Sequence, residues 1–187
     1  MTKKSIIVLI TGQLRYFSKS NYENLIENFK DYNLEFFITC WEDQEEKLLD
    51  LFSSIYKPIE LKKIKIRNFS SLAKNILTPD TAVNPENIFH MWHSFVEGCK
   101  EIKKYVFQNK PDYILRYRSD ILPKVDQLFI NHELKTKQVL IPDRYHWNGI
   151  NDQFFLFNYS NIDDFINIDE FIINYQKKNL FFSSELI

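Results

Sequence analysis

Residues 111–123 run from a short apolar stretch directly into a group of charged side chains. The apolar residues 113–115 are too few for a helix and follow a proline closely, so they predict a buried strand. If the strand continues, Arg116, Arg118 and Asp120 occupy alternate positions and point to one face of the sheet. Burying charges at the end of a strand costs free energy unless a ligand, a metal or an opposite charge among them compensates for the lost hydration.

Two interpretations fit these three charges. In the first, an arginine and Asp120 form a structural ion pair, an arrangement that often mimics an active site. In the second, the arginines bind an anionic, phosphorylated ligand, while Asp120 holds a divalent cation or accepts hydrogen bonds from sugar hydroxyls. The choice between them depends on the rest of the chain.

Strand and helix patterns alternate along the chain, which predicts an α/β fold with a mostly parallel sheet and helices on both faces. Residues 6–10 form a continuous aliphatic run, as expected for a parallel strand covered on both faces. Residues 59–66 alternate apolar with charged side chains, which favours a strand at an edge of the sheet. The other predicted elements are strands over 34–41, 138–142 and 154–157, helices over 21–32, 44–54, 85–108 and 161–175, and a short helical or irregular segment over 125–131.

The composition favours one domain over residues 1–187, because 187 residues with 44% hydrophobic side chains can bury a sizeable core. The apolar residues 181–187 leave a continuation beyond Ile187 open. A net charge of -1 gives no basic field of the kind that nucleic-acid binding requires, so no nucleic-acid partner is expected. With 3 glycines in the chain, a glycine-rich phosphate loop is excluded.

The sequence also predicts where the protein works. No apolar run is long enough for a signal peptide or a membrane span. Cys40 and Cys99 stand far apart without metal-ligand spacing, so we expect small core residues in a reducing cytosol. We therefore expect a soluble cytoplasmic protein that acts at or near the inner face of the membrane through peripheral contact.

The loops that follow the first two strands carry candidate ligand-binding residues. Ligands of open α/β sheets bind at the carboxyl ends of the strands. Gly12 permits a close backbone approach, and Gln13 and Arg15 could reach a base or a phosphate, although Arg15 could equally be a solvated surface residue. Glu42 and Asp43 could accept hydrogen bonds from a ribose, but we favour a place in the first turn of the next helix.

A second polar loop, residues 143–153, precedes the apolar strand at 154–157. It carries Trp147, and it ends near Asp152, which stands at the mouth of a buried strand as Asp120 does. Two carboxylates flanked by aromatic rings are suited to positioning a sugar and activating its hydroxyl. The alternative for Asp152 is a local turn cap.

His90 and His93 lie three residues apart near the start of the longest predicted helix, so they can share one face of it. A metal pair is conceivable at that spacing. Because no third ligand stands nearby in the sequence, we expect packing or surface roles instead.

Taken together, the motifs resemble those of small bacterial sugar transferases of the GT-A fold, and most closely those of WavE-type lipopolysaccharide and capsule biosynthesis proteins. The matching motifs, in chain order, are Gly-Gln-Leu-Arg at 12–15, Thr-Cys-Trp at 39–41, Tyr-Ile-Leu-Arg-Tyr-Arg-Ser-Asp at 113–120 and Ile-Asn-Asp-Gln-Phe at 150–154. The resemblance covers nearly the whole chain, and its most specific parts are Arg-Ser-Asp at 118–120 and Asn-Asp at 151–152.

The resemblance implies a nucleotide-diphosphate-sugar donor bound across the carboxyl ends of the first strands, and a saccharide or glycolipid acceptor. The residues that would contact the donor are Gly12, Gln13, Arg15, Arg116, Arg118, Asp120, Trp147 and Asn151. Asp120 would replace the last aspartate of the family's Asp-x-Asp motif, which binds manganese or magnesium, and Asp152 would face the acceptor. Arg118 stands where that motif has its first aspartate, so an arginine could neutralise the diphosphate directly and a metal is in doubt.

The function that the resemblance implies is transfer of a sugar to a hydroxyl of a surface polysaccharide or lipopolysaccharide precursor. Asp152 and Asp120 would be the catalytic residues. The alternative is a catalytically silent nucleotide-sugar-binding or scaffold module that kept the fold.

Overall fold

A computed structural model describes residues 3–74, 84–122, 133–142, 153–168, 170 and 174. The strands in these ranges are β1 (Ser5–Gly12), β2 (Asn33–Trp41), β3 (Glu60–Ile64), β4 (Tyr113–Tyr117), β5 (Val139–Leu140) and β6 (Phe154–Asn158). The helices are α1 (Lys19–Asn28), α2 (Glu46–Tyr56), α3 (Ser70–Ala73), α4 (Pro85–Asn109) and α5 (Ile162–Ile166), and a 3₁₀ turn at Tyr159–Asn161 precedes α5. The predicted segment at 125–131 lies outside the described residues.

The strands form a six-stranded sheet in the order β3-β2-β1-β4-β6-β5. The first four are parallel, and Val8 at the centre of β1 pairs with Phe36 on one side and Leu115 on the other. β6 runs antiparallel to both β4 and β5. The predicted mostly parallel α/β sheet is therefore confirmed, and β3 lies at its edge as the alternating pattern indicated.

Alternate residues of β1 face two separate cores, because successive side chains of a strand point to opposite faces. Ile6, Val8 and Ile10 pack with α1 and α2, while Ile7 and Leu9 pack with α4. The sheet is thus covered by helices on both faces, as a continuous aliphatic strand requires. Both cysteines are free and buried, in agreement with their predicted place in the core.

α4 is anchored at both ends. Its N-cap residue, Asn84, accepts a hydrogen bond from the backbone N–H of Glu86, and Pro85 occupies the first turn. At the other end, Lys110 adopts a left-handed conformation with φ of 48°. Because α4 connects two parallel strands, its first turns lie near the carboxyl ends of the strands, where ligands of such sheets bind.

Two expectations about local structure are wrong. β4 ends at Tyr117, so Arg118 and Asp120 belong to the following turn and do not continue the alternation of the strand. α2 begins at Glu46, so Glu42 and Asp43 precede the helix and are not part of its first turn. β4 thus ends earlier, and α2 begins later, than side-chain periodicity indicated. Within the ranges that the structure describes, none of the helices is both long enough and apolar enough to cross a membrane.

Candidate functional site

A cleft of about 530 Å³ opens at the carboxyl ends of β1, β2 and β4. Its walls come from the end of β1 and the loop after it and from the first half of α4. Trp41 at the end of β2, Asp43 after it, Arg116 in β4 and Arg118 in the turn after β4 complete the walls. The connection that follows β1 covers one face of the sheet, and α4 covers the other. The cleft therefore lies where the connections from neighbouring strands pass to opposite faces of the sheet. This point is the usual ligand site of open α/β sheets.

Gly12 lets the end of β1 approach α4 closely. Its φ is +94°, a conformation that residues with a side chain rarely adopt, and a Cβ there would lie 3.2 Å from Ser94 Oγ. Next to it, Gln44 holds the backbone of Leu14 by two hydrogen bonds of 2.8 Å, one to the N–H and one to the carbonyl oxygen. These contacts fix the loop on which Gln13 and Arg15 stand exposed at the cleft.

Arg116 is a buried cation at the same cleft, with only 1% of its surface exposed. Its guanidinium carbon lies 4.8 Å from the ring centre of Phe95, 5.6 Å from that of Trp92 and 5.7 Å from that of Phe155. Aromatic faces attract a cation and replace part of the hydration that burial removes. The cage therefore holds a positive charge in a fixed position.

Arg118 and Asp120 form a bidentate ion pair. Arg118 donates from Nε to Oδ1 at 3.0 Å and from Nη2 to Oδ2 at 2.7 Å. Partial burial alone would raise the pKa of Asp120, but hydrogen bonding and charge from Arg118, with a further contribution from Arg15, lower it below its ordinary value. Asp120 is therefore ionised at neutral pH, and both of its oxygens face a guanidinium group.

The turn that carries this pair is held from three sides. Asn21 in the first turn of α1 donates to the carbonyl oxygen of Ser119 at 3.2 Å. The backbone N–H of Arg118 donates to the carbonyl oxygen of Gln153 at 3.2 Å, and the hydroxyl of Tyr117 donates to the carbonyl oxygen of Ile121 at 3.4 Å. The position of Arg118 is therefore set by α1, β4 and the start of β6 together.

The described residues do not fit a divalent cation on Asp120. A cation there would have to compete with Arg118 for the carboxylate oxygens and lie beside the charge of Arg15 as well. Among the residues that the structure describes, no three histidine, cysteine, aspartate or glutamate side chains are grouped as a metal site would require. Mn²⁺ or Mg²⁺ at this position stays a prediction from the resemblance.

The two histidines of α4 take part in aromatic packing, as we expected. Their rings lie against Trp41, at 5.6 Å for His90 and 6.3 Å for His93, and against Phe69 at 5.3 Å and 5.5 Å. Burial lowers the pKa of His90, although the charge of Glu86 partly offsets this effect. His90 also lines the cleft, so this packing forms part of its wall.

Five of the predicted donor-binding residues lie around one cleft: Gly12, Gln13, Arg15, Arg116 and Arg118. Asp120 does not line the cleft and accepts hydrogen bonds from Arg118, which does. Trp147, Asn151 and Asp152 fall outside the described residues.

Sequence reasoning missed several side chains that build the cleft. Asp43 lines it, although we favoured a place in the first turn of a helix over a ligand contact for that residue. Asn21, Gln44 and Ser94 were missed because their contacts join segments far apart in the chain, and no local pattern marks them.

No protein-family model matches this chain, and no curated protein matches it. Among solved structures, 37 chains match. One is described as a "putative nucleotide-diphospho-sugar transferase" from Desulfovibrio desulfuricans G20, with a TM-score of 0.42 and 11% sequence identity over 94% of this chain and 78% of that chain. A likeness at this level supports no conclusion about this chain, so its function has to be argued from the cleft itself.

Proposed function

We propose that this chain binds a nucleotide-diphosphate sugar in the cleft and transfers the sugar to a hydroxyl group of an acceptor. The observation that carries the proposal is the meeting of Arg15, Arg116 and Arg118 beside Gly12 at the carboxyl ends of β1 and β4. Guanidinium groups match phosphate oxygens by paired hydrogen bonds, and a glycine lets a ligand approach the backbone. A diphosphate is the part of the donor that needs both features.

The same arginines would favour the chemical step. When the sugar leaves, negative charge grows on the diphosphate, and cationic groups already in position stabilise it without reorganisation. Arg116 lies in an aromatic cage and Arg118 is held by Asp120, so both are positioned before a ligand arrives. In this role Asp120 orients Arg118.

The acceptor side of the proposal rests on the sequence. An acceptor hydroxyl oxygen would attack the anomeric carbon and form the new C–O bond, while the bond to the diphosphate breaks and its electron pair stays with the diphosphate. Asp152 would take the hydroxyl proton as a general base, with Trp147 and Asn151 contacting the donor sugar. We propose a surface polysaccharide or lipopolysaccharide precursor as the acceptor, met at the inner face of a bacterial membrane.

The first test is a thermal shift of the chain with UDP, GDP, CDP and CMP, each with and without Mn²⁺, followed by an assay for nucleoside diphosphate released from the matching sugar donor. A ligand at a hundred times its dissociation constant adds about 2.7 kcal/mol to stability, which moves the melting midpoint by several degrees. Arg15→Gln should reduce the shift. Arg67→Gln is the matched control, because Arg67 is exposed and packs on Phe69 outside the cleft.

The outcomes separate the two functions. A thermal shift with release of nucleoside diphosphate, lost in Asp152→Asn, supports the transferase. A shift without release from any donor identifies the catalytically silent nucleotide-sugar-binding module. Release that is unchanged in Asp152→Asn removes Asp152 as the base, and no shift with any nucleotide overturns the proposal.

A further inference from the structure

We infer that the cleft binds the diphosphate with guanidinium groups and without a divalent cation, and that Asp120 serves as the counter-ion of Arg118 and not as a metal ligand. This inference rests on the proposed function, because it concerns how the same site neutralises its ligand. It follows from the geometry of Asp120 and from the choice of arginine at the cleft.

The geometry of Asp120 favours the role of a counter-ion. Each carboxylate oxygen accepts a hydrogen bond from Arg118, at 3.0 Å and 2.7 Å. A metal ion needs those same oxygens, and it would also face the charge of Arg15. The carboxylate instead fixes the plane of the Arg118 guanidinium, while the backbone around it is held by Asn21 and Gln153.

The chain uses arginine and lysine in different places. It has five arginines, at positions 15, 67, 116, 118 and 144, and three of the four in the described ranges line the cleft. Its lysines are far more numerous, yet none of those in the described ranges lines the cleft, and several form ion pairs elsewhere on the surface. Arginine differs from lysine in its rigid fork of donors and its weaker hydration, which suit the oxygens of a diphosphate. The use of arginine at the cleft is therefore explained by the geometry of a diphosphate ligand and not by a need for positive charge alone.

The test is calorimetric titration of the full chain with UDP, GDP, CDP and ADP in three buffers, containing EDTA, Mn²⁺ or Mg²⁺. We expect the preferred nucleotide to bind in EDTA with a dissociation constant within about threefold of that in Mn²⁺, and to weaken as salt is added. In EDTA, Arg118→Gln should weaken binding about tenfold or more, since it removes charge-assisted hydrogen bonds. Arg67→Gln should leave binding within about twofold, because Arg67 lies outside the cleft.

Each outcome has one meaning. Binding that needs Mn²⁺ or Mg²⁺ and disappears in EDTA overturns this inference and leaves the proposed function intact. Binding of no nucleotide in any buffer overturns both. If Arg118→Gln does not fold, Arg15→Gln replaces it, because Arg15 is exposed and its removal should not affect folding. Equal affinity of Arg15→Gln and the unchanged chain in EDTA would also contradict the inference.

Discussion

The side-chain amide of Asn21 donates a hydrogen bond to the carbonyl oxygen of Ser119 at 3.2 Å, across 98 residues of sequence. Both residues are buried. Asn21 lies in the first turn of α1, and Ser119 stands between Arg118 and Asp120 in the turn after β4. This single contact therefore ties the helix that follows the glycine-bearing loop to the turn that carries the ion pair.

We expect Asn21→Ala to lower the free energy of unfolding by about 1–3 kcal/mol, because it leaves the buried carbonyl of Ser119 without this donor. It should also weaken nucleotide binding, since the turn that positions Arg118 loses one of its supports. Urea unfolding and calorimetric titration measure the two effects. Asn24→Ala on the same helix is the control, because the side-chain oxygen of Asn24 accepts a hydrogen bond from Asn28 Nδ2 within α1. Equal stability losses in the two variants would contradict the assigned role of Asn21.

The loss of folding stability at acid pH should depend on the carboxylate of Asp120. Its pKa in the folded chain is lowered from an ordinary value of 3.8, so folding favours the ionised carboxylate. The stabilisation is complete above the unfolded pKa and is lost as the pH falls below about 4 and passes through the folded pKa. We therefore expect Asp120→Asn to lose less stability than the unchanged chain between about pH 5 and pH 3.

Urea unfolding at a series of pH values measures this difference. Asp50→Asn is the matched control, because Asp50 is an exposed aspartate on α2 and the substitution makes the same change in charge. If the curve of Asp120→Asn runs parallel to that of the unchanged chain, the ion pair with Arg118 does not contribute to stability.

The sheet could be predicted because its strands carry their own signal. A strand buried on both faces has to be apolar throughout, as residues 6–10 are, and an edge strand has to alternate, as residues 59–66 do. The predicted end of β4 and the predicted start of α2 were wrong. Backbone hydrogen bonds set the limits of a strand or helix, and the side-chain pattern does not show where those bonds begin and end. Arg116 and Arg118 could be identified as candidate site residues because burying a charge at the end of an apolar strand is energetically unfavourable.

The contacts that position the site had no such signal. In the sequence, Asn21 and Gln44 are polar residues at the starts of two predicted helices, and nothing local distinguishes them. Their roles depend on hydrogen-bond partners in other segments of the chain. The pairing of Arg118 with Asp120 was one of two interpretations, and the structure shows that pairing while also placing Arg118 at a cleft. The two interpretations are therefore compatible, since an ion pair can hold an arginine in place for a ligand.

The aromatic cage gives a prediction about Arg116. Phe95→Leu should lower the free energy of unfolding by about 1–3 kcal/mol and weaken nucleotide binding severalfold, because the guanidinium loses the ring 4.8 Å from its carbon. Phe37→Leu is the control in the same core, where its ring contacts Tyr105 at 5.0 Å. Both variants should lose stability, and only Phe95→Leu should lose affinity. Loss of affinity in both would mean that general loosening of the core is the cause.

A contact between α4 and β1 gives the last prediction. A Cβ on Gly98 would lie 2.7 Å from Thr11 Cγ2 and 3.3 Å from Leu9 Cδ1. Alanine normally stabilises a helix relative to glycine by about 1 kcal/mol, but here it would force the buried side chain of Thr11 to move. We therefore expect Gly98→Ala to destabilise the chain by about 1–3 kcal/mol, and to weaken nucleotide binding because Thr11 lines the cleft beside Gly12.

The cause can be isolated with a second substitution. Thr11→Ser removes the methyl group nearest to the added Cβ, so the double variant Gly98→Ala with Thr11→Ser should recover part of the stability that Gly98→Ala loses. A double-mutant cycle from urea unfolding gives the coupling energy, and residues in direct contact typically couple by about 0.5–3 kcal/mol. Additive losses would mean that the methyl group is not the obstacle. Recovery would show that the bare backbone of Gly98 lets α4 lie close enough to β1 to form one wall of the cleft.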